Sequence, residues 1–436
     1  MADSVQARRA ATLSSVFRDY HGPAFAIRLW DGWQWSSSAN ERPRCTIAIA
    51  TQDALATLIV RPNEVTLGEA YIHGDLDVEG DLFSVFEVTE HLFNRSKGLK
   101  QRTLEKLGGA AYRMGQRLKH GAVNSKSRDR LSIACHYDLP VEFFEPWLGR
   151  TMVYSCAYFR DPGDSLDAAQ TRKLDLICRK LSLQPGERFL DIGCGWGSLV
   201  LHAAKRWHVR AEGITLSEQQ AEVGRRRIAQ SGAEDCCSVG LLDYRDLKGT
   251  ATYDKIASIG MFEHVGRKNL PGYFGIVKRL LRPGGLFLNH GIARSAVSPV
   301  RESSFVQRYV FPDGKLVTLA ETIAGAESQG FEIRDVENLR EHYELTLRRW
   351  VDGLERNADA LIQKVSRMKY RIWLLYTAGC AAAFRRGDIA VHQVLMSRPD
   401  RGRSRVSLTR EKWYAHDRPD ESLDGASTDG RMTTAS

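Results

Sequence analysis

The chain has 436 residues, longer than one hydrophobic core usually serves, so two domains are expected. Its 43% apolar and 26% charged residues are those of a soluble globular protein. Its eight cysteines are scattered without a CxxC pair, which excludes a zinc framework and a disulfide scaffold and fits a reduced, cytoplasmic compartment.

Met1 to Ala10 lacks an apolar h-region, so no signal peptide is expected. Residues 1–93 alternate short apolar runs with turn residues. Phe25–Trp30, Cys45–Ala50 and Ala54–Val60 read as strands or short helices. Tyr71–Gly80 reads as a turn-rich loop, and Leu82–Phe93 as an apolar helix. The pattern predicts a small α+β domain.

Residues 94–130 form a basic connector. Between Phe93 and Arg130 eleven basic residues stand against two acidic ones, an excess equal to the whole chain's net charge of +9. Leu104, Leu107, Ala111, Met114 and Leu118 recur at spacings of three and four, giving one helical face, with Arg102, Lys106, Arg113 and Arg117 off it. Such a helix lies in an anionic membrane interface or serves as a linker with solvated charges. Both readings stand, and Gly108-Gly109 weakens the helix itself. No RNA-binding signature accompanies the charge, so nucleic acid is not an expected partner.

Residues 131–400 read as one α/β unit. A helix is predicted over Asp167–Leu181, and Pro185-Gly186 then turns the chain into a strand. Strands at 187–192, 209–215, 236–241, 254–260, 285–290, 331–338 and 389–396 alternate with helices at 197–206, 217–231, 270–282 and 316–329. Two more helices are expected over 344–385. Strand–helix alternation signals a parallel sheet with right-handed crossovers. The weakly polar run Trp373–Phe384 is too short to span a bilayer. Residues 401–436 are polar and mixed in sign, and read as a disordered tail.

The first strand of this unit ends Phe189-Leu190-Asp191-Ile192, followed by Gly193, Gly195 and Gly197. Glycines permit positive φ and leave the backbone open to a ligand. The spacing is neither the G-x-G-x-x-G of dinucleotide sites nor a P-loop. It resembles motif I of the class I S-adenosylmethionine (SAM) methyltransferases. Asp191 is placed to orient the loop or hold a cofactor ammonium. Thr215 and Gln220 follow the second strand, and Asp243-Tyr244 the third, where they suit the adenosine moiety. Ser217 with Gln220 also fits a helix cap. Glu263 and His290 stand at neighbouring strand tips, a better functional pair than a lone histidine.

The full set of stretches resembles the cyclopropane-fatty-acyl-phospholipid synthases and the related mycolic acid cyclopropane synthases. The matching stretches are HYD (136–138), YSCAYF (154–159), LDIGCGWG (190–197), GITLSEQQ (213–220), DYRDL (243–247), GMFEHVG (260–266), FLNHGI (287–292) and FRRGDI (384–389). The resemblance covers about residues 130–400, and the front domain and connector also look like those of the phospholipid-acting members. It implies a class I SAM-methyltransferase, Rossmann-like seven-stranded sheet behind the small α+β domain. It also implies transfer of a SAM methyl to a cis double bond of a phospholipid acyl chain, proton loss from the carbocation and ring closure.

Carried over by motif, bicarbonate serves as the base, held by Glu263, His290 and Tyr343 with the backbone at Cys156 and Ile292. Tyr154, Ser155, Thr215, Gln220, Tyr244 and Ile259 match cofactor contacts. Cys380 matches a cysteine given a catalytic part in the family. Its neighbours Ala378, Gly379 and Ala381–Ala383 supply no charge to lower a thiol pKa, so it reads as a small pocket residue. Leu139-Pro140 departs from the family after HYD. Arg245 replaces a carboxylate of the mycolic enzymes, which leaves the adenine contact to Asp243. The implied setting is the inner membrane surface, peripherally, with unsaturated phospholipid as partner and a homodimer left open. A methyl or methylene branch from the same cation is the nearest alternative product. A small-molecule N-methyltransferase is a more distant one.

Overall fold

The computed structural model describes residues 2–60, 62–95, 139–297, 304–311, 316–404 and 406–414. The connector from residue 96 onward and the 136–138 motif lie outside the described residues, as does the tail after 414.

The front domain carries β1 (Phe25–Arg28), β2 (Gln34–Ser36), β3 (Cys45–Ile49) and β4 (Leu76–Gly80), in the order β2-β1-β3-β4. Cys45, Ile47 and Ile49 alternate inward along β3, as a half-buried strand requires. Helices Ala2–Val16, Gln52–Val60, Glu64–His73 and Leu82–Arg95 complete the domain. Ala54–Val60 takes the helical of the two forms expected, within the helix Gln52–Val60. One expectation is corrected. The supposed loop 71–80 is the end of a helix, a stop at Gly74, and β4, which pairs with β3 from Ile49↔Leu76 to Cys45↔Gly80.

The second sheet contains β5 (Arg188–Ile192), β6 (Arg210–Thr215), β7 (Cys237–Leu241), β8 (Tyr253–Ile259), β9 (Leu281–Arg294), β10 (Glu332–Asn338) and β11 (Ile389–Ser397). Their order is β10-β11-β9-β8-β5-β6-β7. β11 runs antiparallel to both its neighbours, while β9, β8, β5, β6 and β7 pair in parallel. The central strands are apolar throughout because helices cover both faces: Phe189, Leu190 and Ile192 are buried. From β5 the chain winds outward through β6 and β7, then returns to β8 on the other side. Such a reversal opens a crevice beyond the strand ends.

Three helices stand where two were expected: Arg340–Arg356, Ala358–Val365 and Arg367–Arg386. The extra break falls at Ser366, whose φ of 114° no helix accommodates and whose hydroxyl caps Lys369 N–H. β9 is longer than expected because β11 pairs with it from Leu286 to Arg294. No helix among the described residues is long and apolar enough to cross a membrane.

The predicted disordered tail also needs correction in its first part. Glu411–Tyr414 forms a helical turn, and Trp413 is only 2% exposed. Its ring faces the ammonium of Lys180 at 6.0 Å, and Arg410 Nε bonds Asp335 Oδ1 at 2.9 Å. Lys180 is itself buried and paired with Glu337 and Asp335. Trp413→Ala should therefore cost about 3 kcal/mol or more, the range for emptying a buried aromatic site. Urea midpoints check this, and an unmoved midpoint would detach the segment from the fold.

Candidate active site

The crevice is built where β5, β6 and β8 end. After Ile192 the chain turns through Gly193 and Gly195 at φ 83° and 54°. Gly193 and Cys194 N–H both donate to the Ile214 carbonyl, at 2.9 and 3.0 Å, which ties the turn to β6. A Cβ on Gly193 would lie 2.6 Å from Met261 Cβ. One on Gly195 would meet nothing within 4 Å, because that position opens onto a cavity. The cavity holds about 1150 Å³ of empty space, its mouth included.

Nine of the expected cofactor residues line it: Tyr154, Ser155, Asp191, Gly193, Gly195, Thr215, Gln220, Tyr244 and Ile259. Thr215 Oγ1 donates to Gln220 Oε1 at 2.7 Å, and Ser217 Oγ caps Gln220 N–H at 3.3 Å. The cap and the cavity position coexist. Two assignments are corrected. Gly197 opens the helix Ser198–Trp207, and a Cβ there would face Val239 at 3.2 Å rather than the cavity. Asp243 is buried and gives both carboxylate oxygens to Arg245, Oδ1 at 2.9 Å and Oδ2 at 2.7 Å. Leu242, Tyr244 and Arg245 face the cavity instead.

Behind this cavity lies the second cluster. Gly260 N–H donates to the His290 carbonyl at 2.9 Å, ending β8 beside β9. A short 3₁₀ turn, Phe262–His264, then brings Glu263 back so that its Oε1 accepts from Ile292 N–H at 2.7 Å. That bond corrects the ligand set: the Ile292 N–H expected to serve an anion is already taken. Glu263 Oε2 is buried without a partner among the described residues. Burial raises the Glu263 carboxyl from 4.5 to about 7, against the opposing pull of Ile292 N–H.

His290 is 1% exposed, and its cross-strand neighbour Gln393 approaches Nδ1 through Nε2 at 3.3 Å. With the amide donating, the imidazole proton sits on Nε2, which is buried and unpartnered. Burial, aided by Lys173, Lys180 and His392, holds the ring well below its ordinary pKa, so it is neutral. Burial raises the Tyr343 hydroxyl far above 10, with Tyr154, Cys156, Glu263 and Cys380 close enough to add to the effect. The Cys156 thiol donates to the Ala157 carbonyl at 3.2 Å. Cys380 lies within reach of Tyr376, and burial pushes its thiol up to about 12 with no cation to oppose it.

Sequence reasoning missed several residues here. Lys173 and His264 line the cavity, while Tyr376 and Gln393 support the second cluster. Among the described residues no group of His, Cys, Asp and Glu is arranged to hold a metal.

The seven-stranded order, with its reversal at β5 and the glycine turn that follows that strand, is the class I SAM-dependent methyltransferase fold. The family model for mycolic acid cyclopropane synthetase matches residues 124–394, and the chain belongs to that family of SAM-dependent enzymes. A domain of unknown function matches residues 12–101. A probable fatty acid methyltransferase of Pseudomonas putida is 38% identical over 409 residues, covering 93% of this chain and 99% of its own. The cyclopropane-fatty-acyl-phospholipid synthase of Escherichia coli K12 is 34% identical over 341 residues, covering 78% of this chain and 85% of its own. The mycolic acid cyclopropane synthase CmaA1, solved with SAH and CTAB, superimposes with a TM-score of 0.59 at 33% identity. It covers 62% of this chain and 98% of its own.

Two predictions follow from the geometry. Gly195→Val fills open cavity and strains a positive-φ position, so SAM affinity should fall at least about tenfold, or 1.4 kcal/mol. Calorimetry on the folded variant checks it, and unchanged affinity removes the loop from the cofactor seat. For Glu263, the folded state keeps a proton that the unfolded chain has lost between pH 4.5 and about 7. Stability contributed by this group therefore falls as pH rises through that window and levels off above it. Glu263→Gln keeps an acceptor for Ile292. It should be more stable than the parent at pH 8, by on the order of 2–3 kcal/mol, and equal to it near pH 4. Urea midpoints at both pH values decide, and an equal offset at the two would refute the shift.

Proposed function

We propose that the enzyme joins the methyl carbon of SAM to a cis double bond of a membrane phospholipid acyl chain and closes a cyclopropane ring, with bicarbonate as base. The observation that carries this reading is the two buried, unpartnered atoms Glu263 Oε2 and His290 Nε2, with Glu263 close to Tyr343. These atoms fit a small oxyanion with one hydroxyl, which asks for donors and one acceptor. SAM supplies an electrophilic methyl group when bound, and bicarbonate a base small enough for a closed pocket.

The chain's own groups do the rest. His290 Nε2–H and the Tyr343 hydroxyl, held protonated by burial, are donors. The Cys156 backbone is the remaining donor of the expected set. Glu263 is anchored through Oε1, so Oε2 is the end that faces the anion. Rings surround the cluster: Tyr154 stacks on Trp350 at 5.0 Å, and Tyr343 lies 4.7 Å from Phe384. Such faces favour a cation and exclude the water that would trap it. Cys380 shapes this layer and does not attack substrate.

Phospholipid as substrate is supported by the reach of the Escherichia coli synthase over 78% of the chain, well past the 62% covered by CmaA1. The charge excess of residues 94–130 supports a peripheral seat on an anionic membrane, at about 1 kcal/mol per basic residue near the surface. A second reading is favoured by the Pseudomonas putida relative, whose name is that of a fatty acid methyltransferase. In that reading a hydride shift and loss of a different proton leave a branch.

Incubation with SAM and unsaturated anionic phospholipid vesicles, followed by proton NMR of the lipid, distinguishes the products. Upfield ring-methylene signals are expected, whereas olefinic or methyl signals of a branch would favour the second reading. Turnover should drop in bicarbonate-stripped buffer and in Glu263→Ala, whose SAM affinity should be unchanged. Cys380→Ser should stay active. Reversal of Lys106, Arg113 and Arg117 to glutamate should weaken vesicle binding, and intact binding would reduce the connector to a linker. Activity on free fatty acids alone would sink the phospholipid assignment.

A further inference from the structure

Lys173 is a buried titratable group that the chemistry above leaves unused. It lies in the helix Leu166–Lys180 and is 1% exposed, yet it lines the cofactor cavity. Its ammonium donates to Ser155 Oγ at 2.9 Å. It also stands close enough to Asp191 to pull that carboxyl down, though burial still leaves it at about 7. Asp191 Oδ1 is buried with no partner among the described residues.

A serine oxygen that accepts from an ammonium turns its own proton elsewhere. Ser155 borders the cavity, so an acceptor inside the cavity is the natural recipient. One end of the cavity thus carries a cation, a directed hydroxyl and a carboxyl with an open oxygen. The other end, at the tip of β7, carries the flat ring of Tyr244. β7 lies two strands from β5, roughly 10 Å. A zwitterion at one end and an aromatic base at the other is the chemistry of SAM itself.

We propose that Lys173 is a positioning residue for the amino-acid end of SAM, donating to Ser155 Oγ so that the Ser155 hydroxyl donates to the cofactor carboxylate and Asp191 Oδ1 is left for its ammonium. The proposal rests on SAM binding in this cavity but not on bicarbonate or on the lipid. It differs from a structural role, in which Lys173 only offsets the charge of Asp191.

The test titrates two ligands calorimetrically: S-adenosylhomocysteine, and 5′-methylthioadenosine, which lacks the amino-acid end. Lys173→Met removes the cation facing buried Asp191, and that carboxyl, already raised to about 7, takes up a proton rather than standing as a bare charge, so the variant should fold. It should weaken S-adenosylhomocysteine at least about tenfold, the loss expected for a charge-assisted hydrogen bond. Methylthioadenosine affinity should be unchanged. The double variant Lys173→Met/Ser155→Ala should bind S-adenosylhomocysteine no more weakly than Ser155→Ala alone, because the lysine acts through the serine. Equal losses for both ligands, no loss, or additive losses in the double variant would overturn the proposal. If Lys173→Met does not fold, Ser155→Ala decides alone. A loss confined to S-adenosylhomocysteine supports the relay, and unchanged or equally reduced binding of the two ligands overturns it. Loss of methylthioadenosine binding by Gly195→Val, with the parent binding normally, separately confirms the cavity, so its failure is distinguishable.

Discussion

The register of β8 against β9 is the constraint on which the site depends. Ile259 lies opposite His290, and Gly260 N–H closes the ladder on the His290 carbonyl. The chain must leave the sheet there, and the short turn that follows delivers Glu263 to Ile292 N–H, two residues beyond His290. A shift of one residue would send His290 to the opposite face of the sheet. β11 fixes the same strand from its other edge, pairing Gln393 with His290 in the ladder and through its side chain. The antiparallel insertion of β11 is therefore more than a topological feature: it brings the Gln393 amide to His290 Nδ1.

Desolvation governs the chemistry of both halves of the site. Asp191 and Glu263 are each raised to about 7, Lys173 is lowered to about 8, and His290 is driven neutral. Four groups ordinarily charged or near charging are thus pushed toward neutrality by one cause, burial. Such groups destabilise the fold and are retained where a ligand will use them. The division of labour follows position. The groups around β5 face the cleft beside the glycine turn, while those of β9 and helix Arg340–Arg356 face rings. The Cys380 thiol shows the contrast: partly buried and without a cation beside it, it is pushed up and stays protonated.

The local parts of this site were legible in the sequence, and the parts made by distant contacts were not. Strand, glycine turn and helix around Gly193 form within one short segment, so their residues announce them. Asp243 was misassigned because Arg245, two residues on, folds back over it, and the nearest cation captured the carboxylate before any ligand could. Lys173 was invisible because its helix is buried on several sides. Lys173 and Lys180 both sit inside it, where periodicity places solvent-facing charge. Tyr376 and Gln393 depend on the packing of helix Arg367–Arg386 and β11 against elements far away in sequence. Trp413 did leave a signal, an aromatic pair with Tyr414 in a polar stretch, but its partner Lys180 lies more than two hundred residues earlier.

The helix Arg367–Arg386 also explains how the front domain bears on the Tyr343 cluster. One side of it carries Tyr376 and Cys380 into the ring-lined cluster. The other is clamped to the front domain: Arg371 Nη1 donates to the Tyr71 carbonyl at 2.6 Å, pairs with Asp77 at 2.5 Å and covers the Tyr71 ring at 4.5 Å. Gly379 sits where a Cβ would press on Phe86 Cε1 at 3.3 Å, so the two helices approach closely there. Arg371 is 5% exposed while its partner Asp77 reaches solvent, so removing Asp77 would leave a buried guanidinium short of its counter-charge. The front domain thus fixes the outer wall of the layer that holds Tyr343 and Tyr376. Its packing sets the shape of an apolar space that the seven-stranded sheet alone leaves open on that side.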